Sequence, residues 1–278
     1  MGAGMVQGNT FNERLGRFCV SLVNVAALSV TVLPLLLIFW LSIISNSIMS
    51  LPVEGYSLRW FAEVWRQPQF IQGFYLSAVV ACGATVIGML VTIPAAIVLV
   101  RKPFVGRRAI VQLLMSPLIV PAIVIGASLY MTLVELEVRT SIPATGSTIG
   151  FLAGHVLLTI PWSVRLLMAN LAGLNEAVEE AAASLGASPF TVIWKVTLPL
   201  IRPGLVAAAI FSFVVSFGNL EVSMFLSTPG QVTLPVAILQ YLQWKIDPTI
   251  AAASVMQVAI IGLALIITNR FVNLSRMI

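Results

Sequence analysis

Charged residues are scarce in this sequence of 278 residues. Only 9% of its residues are Asp, Glu, Lys or Arg, whereas 59% are hydrophobic and the mean hydropathy is +1.03. These values lie well outside the usual composition of a soluble globular domain. Because the chain also lacks a long polar stretch, it leaves no room for a soluble catalytic domain beside several membrane spans, and we expect one membrane-embedded unit.

Residues suited to catalysis or metal binding are equally few. The sequence has one histidine, His155, and two cysteines, Cys19 and Cys82, which lie in apolar stretches without CxxC spacing. No Cys, Asp or second His lies near His155, so a satisfied interior histidine is favoured over a metal ligand. The chain also lacks the G-x-x-x-x-G-K-[ST] pattern that cradles ATP phosphates. We therefore predict no metal site, no cofactor bound by this chain and no enzyme activity of its own.

Long apolar runs dominate what remains. A helix needs roughly 20 apolar residues to cross the hydrocarbon core, and six runs reach that length, at 20–45, 73–99, 109–133, 149–170, 203–224 and 250–270. Segments this long satisfy their backbone hydrogen bonds in lipid as helices, not as short alternating strands. The predicted fold class is all-α, a polytopic membrane protein with six transmembrane helices, and membrane lipid is an expected partner.

The distribution of Lys and Arg predicts the orientation. With the N-terminus in the cytoplasm, eleven of the 15 Lys and Arg residues fall inside and four outside, as cytoplasmic loops require. The turn RKPFVGRR at 101–108 is the sharpest marker, and both termini are expected to be cytoplasmic. The basic residues flank apolar runs and form no continuous basic face, so we expect no nucleic-acid partner.

Two segments of the N-terminal region each allow two interpretations. Arg14 and Arg17 precede an apolar run, as in a signal peptide, but the uncharged stretch 18–53 is too long for a typical signal sequence, so a retained span is predicted. The aromatic stretch 56–75 is either an interfacial helix or a docking surface for an extracytoplasmic partner. We expect 1–72 to comprise the cytoplasmic N-terminus, the first span and this extracytoplasmic segment, 73–270 the transmembrane domain, and 271–278 a cytoplasmic tail.

A charged, alanine-rich segment, EEAAASLGASPFTVIWKVTLPLIRPG at 179–204, lies in the cytoplasm between the fourth and fifth spans on this topology. Glutamates at its start suit the N-terminus of a helix, and Gly186 can end that helix in a left-handed conformation. Ser188 and Pro189 have the spacing of an N-cap and a first helical residue. Pro199 is expected to end the second helix, with Leu198 as its boundary.

This segment has the chemistry of a docking surface. Ala181, Ala182 and Gly186 are small enough for another backbone to approach, and Glu180 can accept hydrogen bonds from a partner arginine. Phe190 and Trp194 are large anchors of the kind that fill pockets at interfaces.

The spacing of these residues resembles a known signature, the EAA loop of the membrane subunits of binding-protein-dependent ABC importers. Gly186 lies six positions after Glu180, and Val196, where the family more often has isoleucine, lies ten further on. The matching residues are Glu180, Ala181, Ala182, Gly186, Val196, Leu198 and Pro199. Residues 176–202 are called the EAA loop below. Residues at about 70–270 resemble the transmembrane domain of type I importers. Within that family, the stretch 216–258 is most similar to the second permease of spermidine/putrescine transporters.

The resemblance implies a function and partners. The EAA loop would dock on a cytoplasmic ABC ATPase dimer that uses ATP and Mg, through Glu180, Ala181, Ala182, Gly186, Phe190, Trp194, Leu198 and Pro199. A second permease subunit, expected to form a heterodimer with this chain, would complete the path, and an extracytoplasmic substrate-binding protein would deliver the cargo in a bacterial inner membrane. Polyamines are the expected cargo; ferric iron, phosphonate, thiamine, sulfate or molybdate are alternatives. A secondary transporter would not need such a loop.

Intramembrane polar groups are candidates for the substrate path. Glu221 is flanked by Asn219 and Ser223, and Gly218 could permit a break in that helix. Glu221 is either a cation-attracting group of the path or an ordinary carboxylate at a helix end. The stretch SPLIVPAIVIG at 116–126 carries two prolines and is a candidate gate.

Overall fold

The computed structural model describes residues 10–271, with side chains from 16 to 267. This part of the chain has no β-strand, only isolated bridges at Ile44–Tyr56 and Thr228–Gln231. The helices in chain order are α1 Thr10–Ile43, α2 Arg59–Val64, α3 Pro68–Arg101, α4 Arg107–Met115, α5 Ala122–Thr140, α6 Thr148–Ala172, α7 Glu176–Ser184, α8 Pro189–Val192, α9 Leu198–Leu200, α10 Arg202–Phe217, α11 Glu221–Leu226, α12 Leu234–Trp244 and α13 Pro248–Phe271.

Four of these helices, α1, α3, α6 and α13, are each long and apolar enough to cross a membrane. Two further spans are bent, one by 98° between Arg107–Leu118 and α5, the other by 72° between Pro189–Leu200 and α10. The all-α polytopic fold is confirmed, and six spans result if each bent pair counts as one.

The third span breaks at its prolines. After α4, a 3-10 turn covers Ser116–Leu118, and α5 begins only after Pro121, whose backbone is extended (φ −55°, ψ 133°). Proline has no amide hydrogen to donate and disfavours helical angles in the residue before it, and here the extended backbone of Pro121 itself ends the helix. Because α5 alone has 19 residues and is therefore about 28 Å long, it nearly spans the hydrocarbon core by itself.

The fifth span has a second break, at Gly218, separate from the 72° bend at Ile201. The helix α10 ends at Phe217, where the predicted run continued to residue 224. Asn219 Oδ1 then accepts a hydrogen bond from Val222 N at 3.0 Å, which caps the separate short helix α11. Gly218 is the residue expected from the sequence to permit this break.

The centre of the molecule is formed by α3, α6 and α10, which pack against one another along much of their length. Alanines 81, 84, 96 and 208 are fully buried there, and small side chains allow membrane helices to approach closely. By contrast, the membrane-crossing stretch of α1, Gly16–Ile43, buries none of its most apolar window within the chain.

The aromatic stretch 56–75 is buried on one side and exposed on the other. Trp60 is buried, and its Nε1 donates to the carbonyl of Ile44 at 2.6 Å. Phe70 is buried against the ring of Tyr241 of α12, with centroids 5.1 Å apart. These two side chains are covered because α12 and α13 fold back over this end of α3. Trp65 and Tyr75 stay exposed, so the interfacial and docking interpretations of the stretch stay predictions.

Candidate coupling site and transport path

The first helix of the EAA loop is defined by caps at both ends. Asn175 accepts a hydrogen bond from Ala177 N at 3.0 Å and so begins α7. At the other end Gly186 has φ +87°, and its N–H donates to Ala183 O at 2.9 Å while Ala187 N donates to Ala182 O at 3.2 Å. This is the Schellman arrangement, in which glycine is favoured because a side chain would be strained at positive φ. The prediction for Gly186 is confirmed.

The second helix begins as predicted but ends later. Ser188 Oγ accepts from Thr191 N at 3.3 Å, and Pro189 occupies the first helical position. Pro199 does not end the helix: a π-helical turn at Ile193–Thr197 leads into α9, and the chain bends only at Ile201. Leu198 N donates five residues back, to Ile193 O. This wider turn, absent from the sequence analysis, accommodates a proline that has no N–H to donate.

A buried ion-pair network fixes the EAA loop to α3. Arg101, the last residue of α3, contacts Glu179 (Nε to Oε2, 2.8 Å) and Glu176 (Nη1 to Oε1, 3.0 Å). Thr197 Oγ1 donates to Glu179 Oε1 at 2.7 Å. The side chains of Arg101 and Glu179 are only 11% and 15% exposed, so Glu179 joins α3, α7 and the π-helical turn. The sequence analysis missed this pair, although three glutamates beside a basic turn at one membrane face were the available signal.

The surface of the EAA loop carries the predicted docking residues. Glu180, Ala181 and Gly186 are exposed, and within the described residues the Glu180 carboxylate makes no hydrogen bond or ion pair. Leu185, which the sequence analysis did not single out, is 90% exposed at the turn between α7 and α8. The loop therefore presents one free carboxylate, small residues and an apolar tip.

Phe190 and Trp194 lie in the second helical part of the loop, in α8 and the π-helical turn, and not in α7 beside Glu180. Their rings contact each other, with centroids 5.9 Å apart, and both residues are exposed. They line an apolar groove of about 370 Å³ together with Ile193 and Leu198 of the loop and residues 90–98 of α3. These two aromatics therefore border the apolar surface of α3.

The candidate path residues separate into two groups. Glu221 is exposed at the start of α11, and its Oε2 accepts from Asn219 Nδ2 at 3.3 Å. Ser223, however, is fully buried and donates to Asn219 O at 2.8 Å. The structure thus brings Asn219 and Glu221 together at the break of the fifth span, while Ser223 faces the helix packing.

His155 joins α6 to both sides of this break. Its Nδ1 lies 2.7 Å from Ser216 Oγ of α10, and its Nε2 lies 3.1 Å from Ser223 Oγ of α11. The imidazole is buried and both ring nitrogens are paired. The prediction of a satisfied interior histidine is confirmed, and the structure adds that it bridges the two halves of a broken span.

At the opposite end of the bundle, Asp247 is the centre of a second polar cluster. Its carboxylate contacts Lys245 Nζ at 2.7 Å and accepts from Thr249 N at 3.0 Å and Tyr241 Oη at 3.1 Å. Burial alone would raise the pKa of Asp247, but the hydrogen bonds from Lys245, Thr249 and Tyr241 outweigh it and hold the pKa below the ordinary value. The cluster fixes the start of α13.

Comparison with known proteins agrees with this architecture. The family described as "Binding-protein-dependent transport system inner membrane component" matches residues 84–276. The putrescine transport system permease protein PotI of Escherichia coli (strain K12) is 31% identical over 211 residues, 75% of each chain. The spermidine/putrescine permease PotC of Haemophilus influenzae is 27% identical over 223 residues, 79% of this chain and 83% of PotC.

A solved structure shares the fold. The crystal structure of a bacterial ABC transporter involved in the import of alginate contains a chain with TM-score 0.71 and 15% identity, covering 94% of this chain and 97% of that one. The family match covers well over half of the sequence and includes the EAA loop. The chain therefore belongs to the family of inner-membrane components of binding-protein-dependent transport systems, and it is a multi-pass permease subunit of an ABC importer.

Proposed function

We propose that this permease imports polyamines such as putrescine and spermidine, and that it forms half of the path beside a different second permease subunit. The exposed helix-turn-helix of the EAA loop, fixed to α3 through Arg101, is the observation that carries the coupling part of this proposal. The cargo part is supported by similarity to PotI and PotC, which are named as putrescine and spermidine/putrescine permeases.

The coupling of transport to ATP hydrolysis is inferred from the different contacts of the two faces of the EAA loop. Its exposed face, with Glu180, Ala181 and Gly186 and with the half-buried Ala182 beside them, suits the cleft of a cytoplasmic ATPase dimer, where ATP and Mg act on the partner chains. Its inner face is held by Arg101. Closure of the ATPase dimer then displaces the loop and the helices joined to it as rigid bodies, which opens the path alternately to each side. On this proposal both termini are cytoplasmic, 73–270 is the transport domain, and the regions before and after it are as expected from the sequence.

Cargo selection begins outside the membrane, with a substrate-binding protein that delivers the polyamine. Within the path, the exposed Glu221 carboxylate at the break of the fifth span supplies the negative charge that a polycationic amine needs. Asn219 donates to this carboxylate and so orients it.

The test is ATPase stimulation of the reconstituted complex, made of this chain, its second permease and its ATPase subunit. We expect stimulation by the binding protein loaded with putrescine or spermidine, and none by the same protein offered molybdate, sulfate or thiamine. Stimulation by one of these other solutes alone would refute the polyamine cargo but retain the importer. Purification of an active homomer without a separate ATPase would contradict the proposed partners.

A further inference from the structure

The helix α4 runs across the direction of the helix α5 that follows it. Its segment, Arg107–Leu118, meets α5 at 98°, so it runs nearly perpendicular to a helix that almost spans the hydrocarbon core alone. It also lies at the same end of the bundle as the EAA loop: Arg107, Arg108 and Gln112 border a groove that reaches Met168, near the end of α6. A helix perpendicular to a span, at one end of the bundle, has the orientation of a segment that lies in the plane of a membrane interface.

The exposed surface of α4 is divided into two stripes. Ile110 and Leu113, three residues apart and so on one side of a helix, are 42% and 70% exposed. Arg108 and Gln112, four residues apart, are exposed on another side. A short helix with an apolar and a basic stripe is typical of segments that lie in the plane of a membrane interface. Phe104 and Val105, in the turn before α4, extend the apolar surface.

The charge at this surface is uncompensated. Lys102, Arg107 and Arg108 follow one another within seven residues, and the sequence has no acid between Arg101 and Glu135. None of the ion pairs found in the described part of the chain involves these three residues, whereas Arg101 pairs with both Glu176 and Glu179. An occupant of this surface must therefore supply negative charge beside apolar groups.

We propose that α4 and the preceding basic turn bind an anionic phospholipid of the adjacent leaflet. The phosphate headgroup would lie against Arg107 and Arg108 with Lys102 nearby, and the acyl chains against Ile110 and Leu113. Cations near such a surface are attracted to anionic lipid, while an interfacial helix gains from burying its apolar stripe. The proposal is independent of the cargo and of the ATPase, so its failure and that of the importer function are separate results.

The experiment titrates the purified full-length chain in detergent with phosphatidylglycerol and with phosphatidylcholine of the same acyl chains, and follows the bound lipid by native mass spectrometry. Wild type is compared with Arg107→Gln/Arg108→Gln. The charge-matched control is Arg66→Gln/Arg139→Gln, which removes two exposed cations at the other end of the bundle. We expect the double variant at α4 to bind phosphatidylglycerol about 25-fold more weakly, since each cation contributes about 5-fold.

Phosphatidylcholine binding should be unchanged in both variants, and the control should bind phosphatidylglycerol as wild type does. Arg107→Lys/Arg108→Lys keeps the charge and should also keep the affinity, which separates loss of the site from misfolding. Unchanged phosphatidylglycerol affinity in the Gln variant would overturn the proposal. Equal loss of both lipids, or displacement of the lipid by an equal concentration of inorganic phosphate, would also overturn it. A photoreactive group at Leu113 provides a further test: a cross-link to the second permease would show that this subunit, and not lipid, occupies α4.

Discussion

Neighbouring glutamates of α7 have opposite surroundings. Successive residues of a helix point about 100° apart, so Glu179 faces Arg101 and Thr197 while Glu180 faces away from them. One carboxylate therefore holds the loop to the membrane domain, and the other is free for a partner. The EAA signature contains only the second of these residues, which is why the spacing alone predicted Glu180 and missed Glu179.

The pair between Arg101 and Glu179 should be coupled energetically. We expect Arg101→Gln or Glu179→Gln to lower the free energy of unfolding by about 1–3 kcal/mol, because each leaves a largely buried charged partner without its strongest hydrogen bond. The double variant should cost less than the sum of the two. Thermal unfolding of the four proteins in detergent measures this cycle. Arg139→Gln breaks an exposed pair with Glu135 and should cost less than about 1 kcal/mol; strictly additive losses at Arg101 and Glu179 would contradict the network.

Glu180→Ala should affect coupling without affecting folding. The Glu180 carboxylate has no partner among the described residues, so stability should change by less than about 0.5 kcal/mol. Uptake should fall sharply at wild-type expression, since a desolvated charge contact with the ATPase would cost about 2–5 kcal/mol when truncated. The measurement is cargo uptake in cells together with copurification of the ATPase subunit. Normal uptake by the variant would exclude Glu180 as a coupling contact.

Asp247 should make stability depend on pH. Its pKa is lowered in the folded protein, so its contribution is present above the ordinary carboxyl pKa of about 4 and is lost as pH falls through the folded-state value. Asp247→Asn should therefore be less stable than wild type at pH 7, and the difference should shrink towards pH 3. Unfolding temperatures at the two pH values test this; a difference independent of pH would show that the charge of Asp247 is not the cause.

At the scale of the helices, the broken fifth span is held in place by contacts with its neighbours on both sides of the break. His155 contacts Ser216 before the break and Ser223 after it. A side chain on Gly126 would lie 3.1 Å from Val222 Cα, and one on Gly154 would lie 3.1 Å from Val222 Cγ1, so both glycines allow α11 to pack directly on α5 and α6. The position of Glu221 therefore depends on neighbours that lie far from it in sequence.

His155→Ala should disturb this element more than the overall fold. Two buried hydroxyls lose a partner, at a cost of about 1–3 kcal/mol each, and α11 loses its link to α6. We expect the cargo concentration for half-maximal ATPase stimulation to rise, with partial restoration in His155→Gln, which can still hydrogen-bond. Ser212→Ala removes a buried 2.7 Å contact with Ser163 away from the break, and should lower stability while leaving that concentration unchanged. Equal effects of both variants would assign His155 a purely structural role.

Prediction from sequence succeeded where the structure depends on neighbours in the chain. The turn at Gly186 and the cap at Ser188 require only local hydrogen bonds and allowed backbone angles. It failed at Pro199, because proline in a helix interior is ordinarily a terminator and only the wider turn at Ile193–Thr197 permits it here. The burial of Trp60 could not be predicted either, since the sequence around an aromatic residue gives no sign of the helices that cover it.

At the scale of the whole molecule, the two ends of the bundle differ in chemistry. One end carries the basic turn and the EAA loop; the other carries the Asp247 cluster and the folded-back helix α12. The lengths and apolar character of the spans followed directly from the sequence. Which face of each span meets lipid, a second permease or the path did not, because a membrane span is apolar on most sides and its periodicity carries little information.

The proposed orientation can be tested with single cysteines at opposite ends. In a background where Cys19 and Cys82 are replaced by serine, Leu185→Cys and Trp244→Cys each place a thiol at a residue that is 90% exposed. A membrane-impermeant maleimide should label Leu185→Cys only in inside-out vesicles and Trp244→Cys only in right-side-out ones. The reverse pattern would place the EAA loop outside the cell and would be incompatible with a cytoplasmic ATPase partner.

Beyond its covalent start at the end of α6, the EAA loop has two further attachments to the membrane domain. One is the contact of Glu179 with Arg101 at the end of α3, and the other is the covalent continuation through Ile201 into α10. These two helices also pack against each other. A torque applied at Leu185 is therefore divided between adjacent helices and turns them as a pair, so we expect the path to open by a common rotation of α3 and α10 and not by sliding of one along the other.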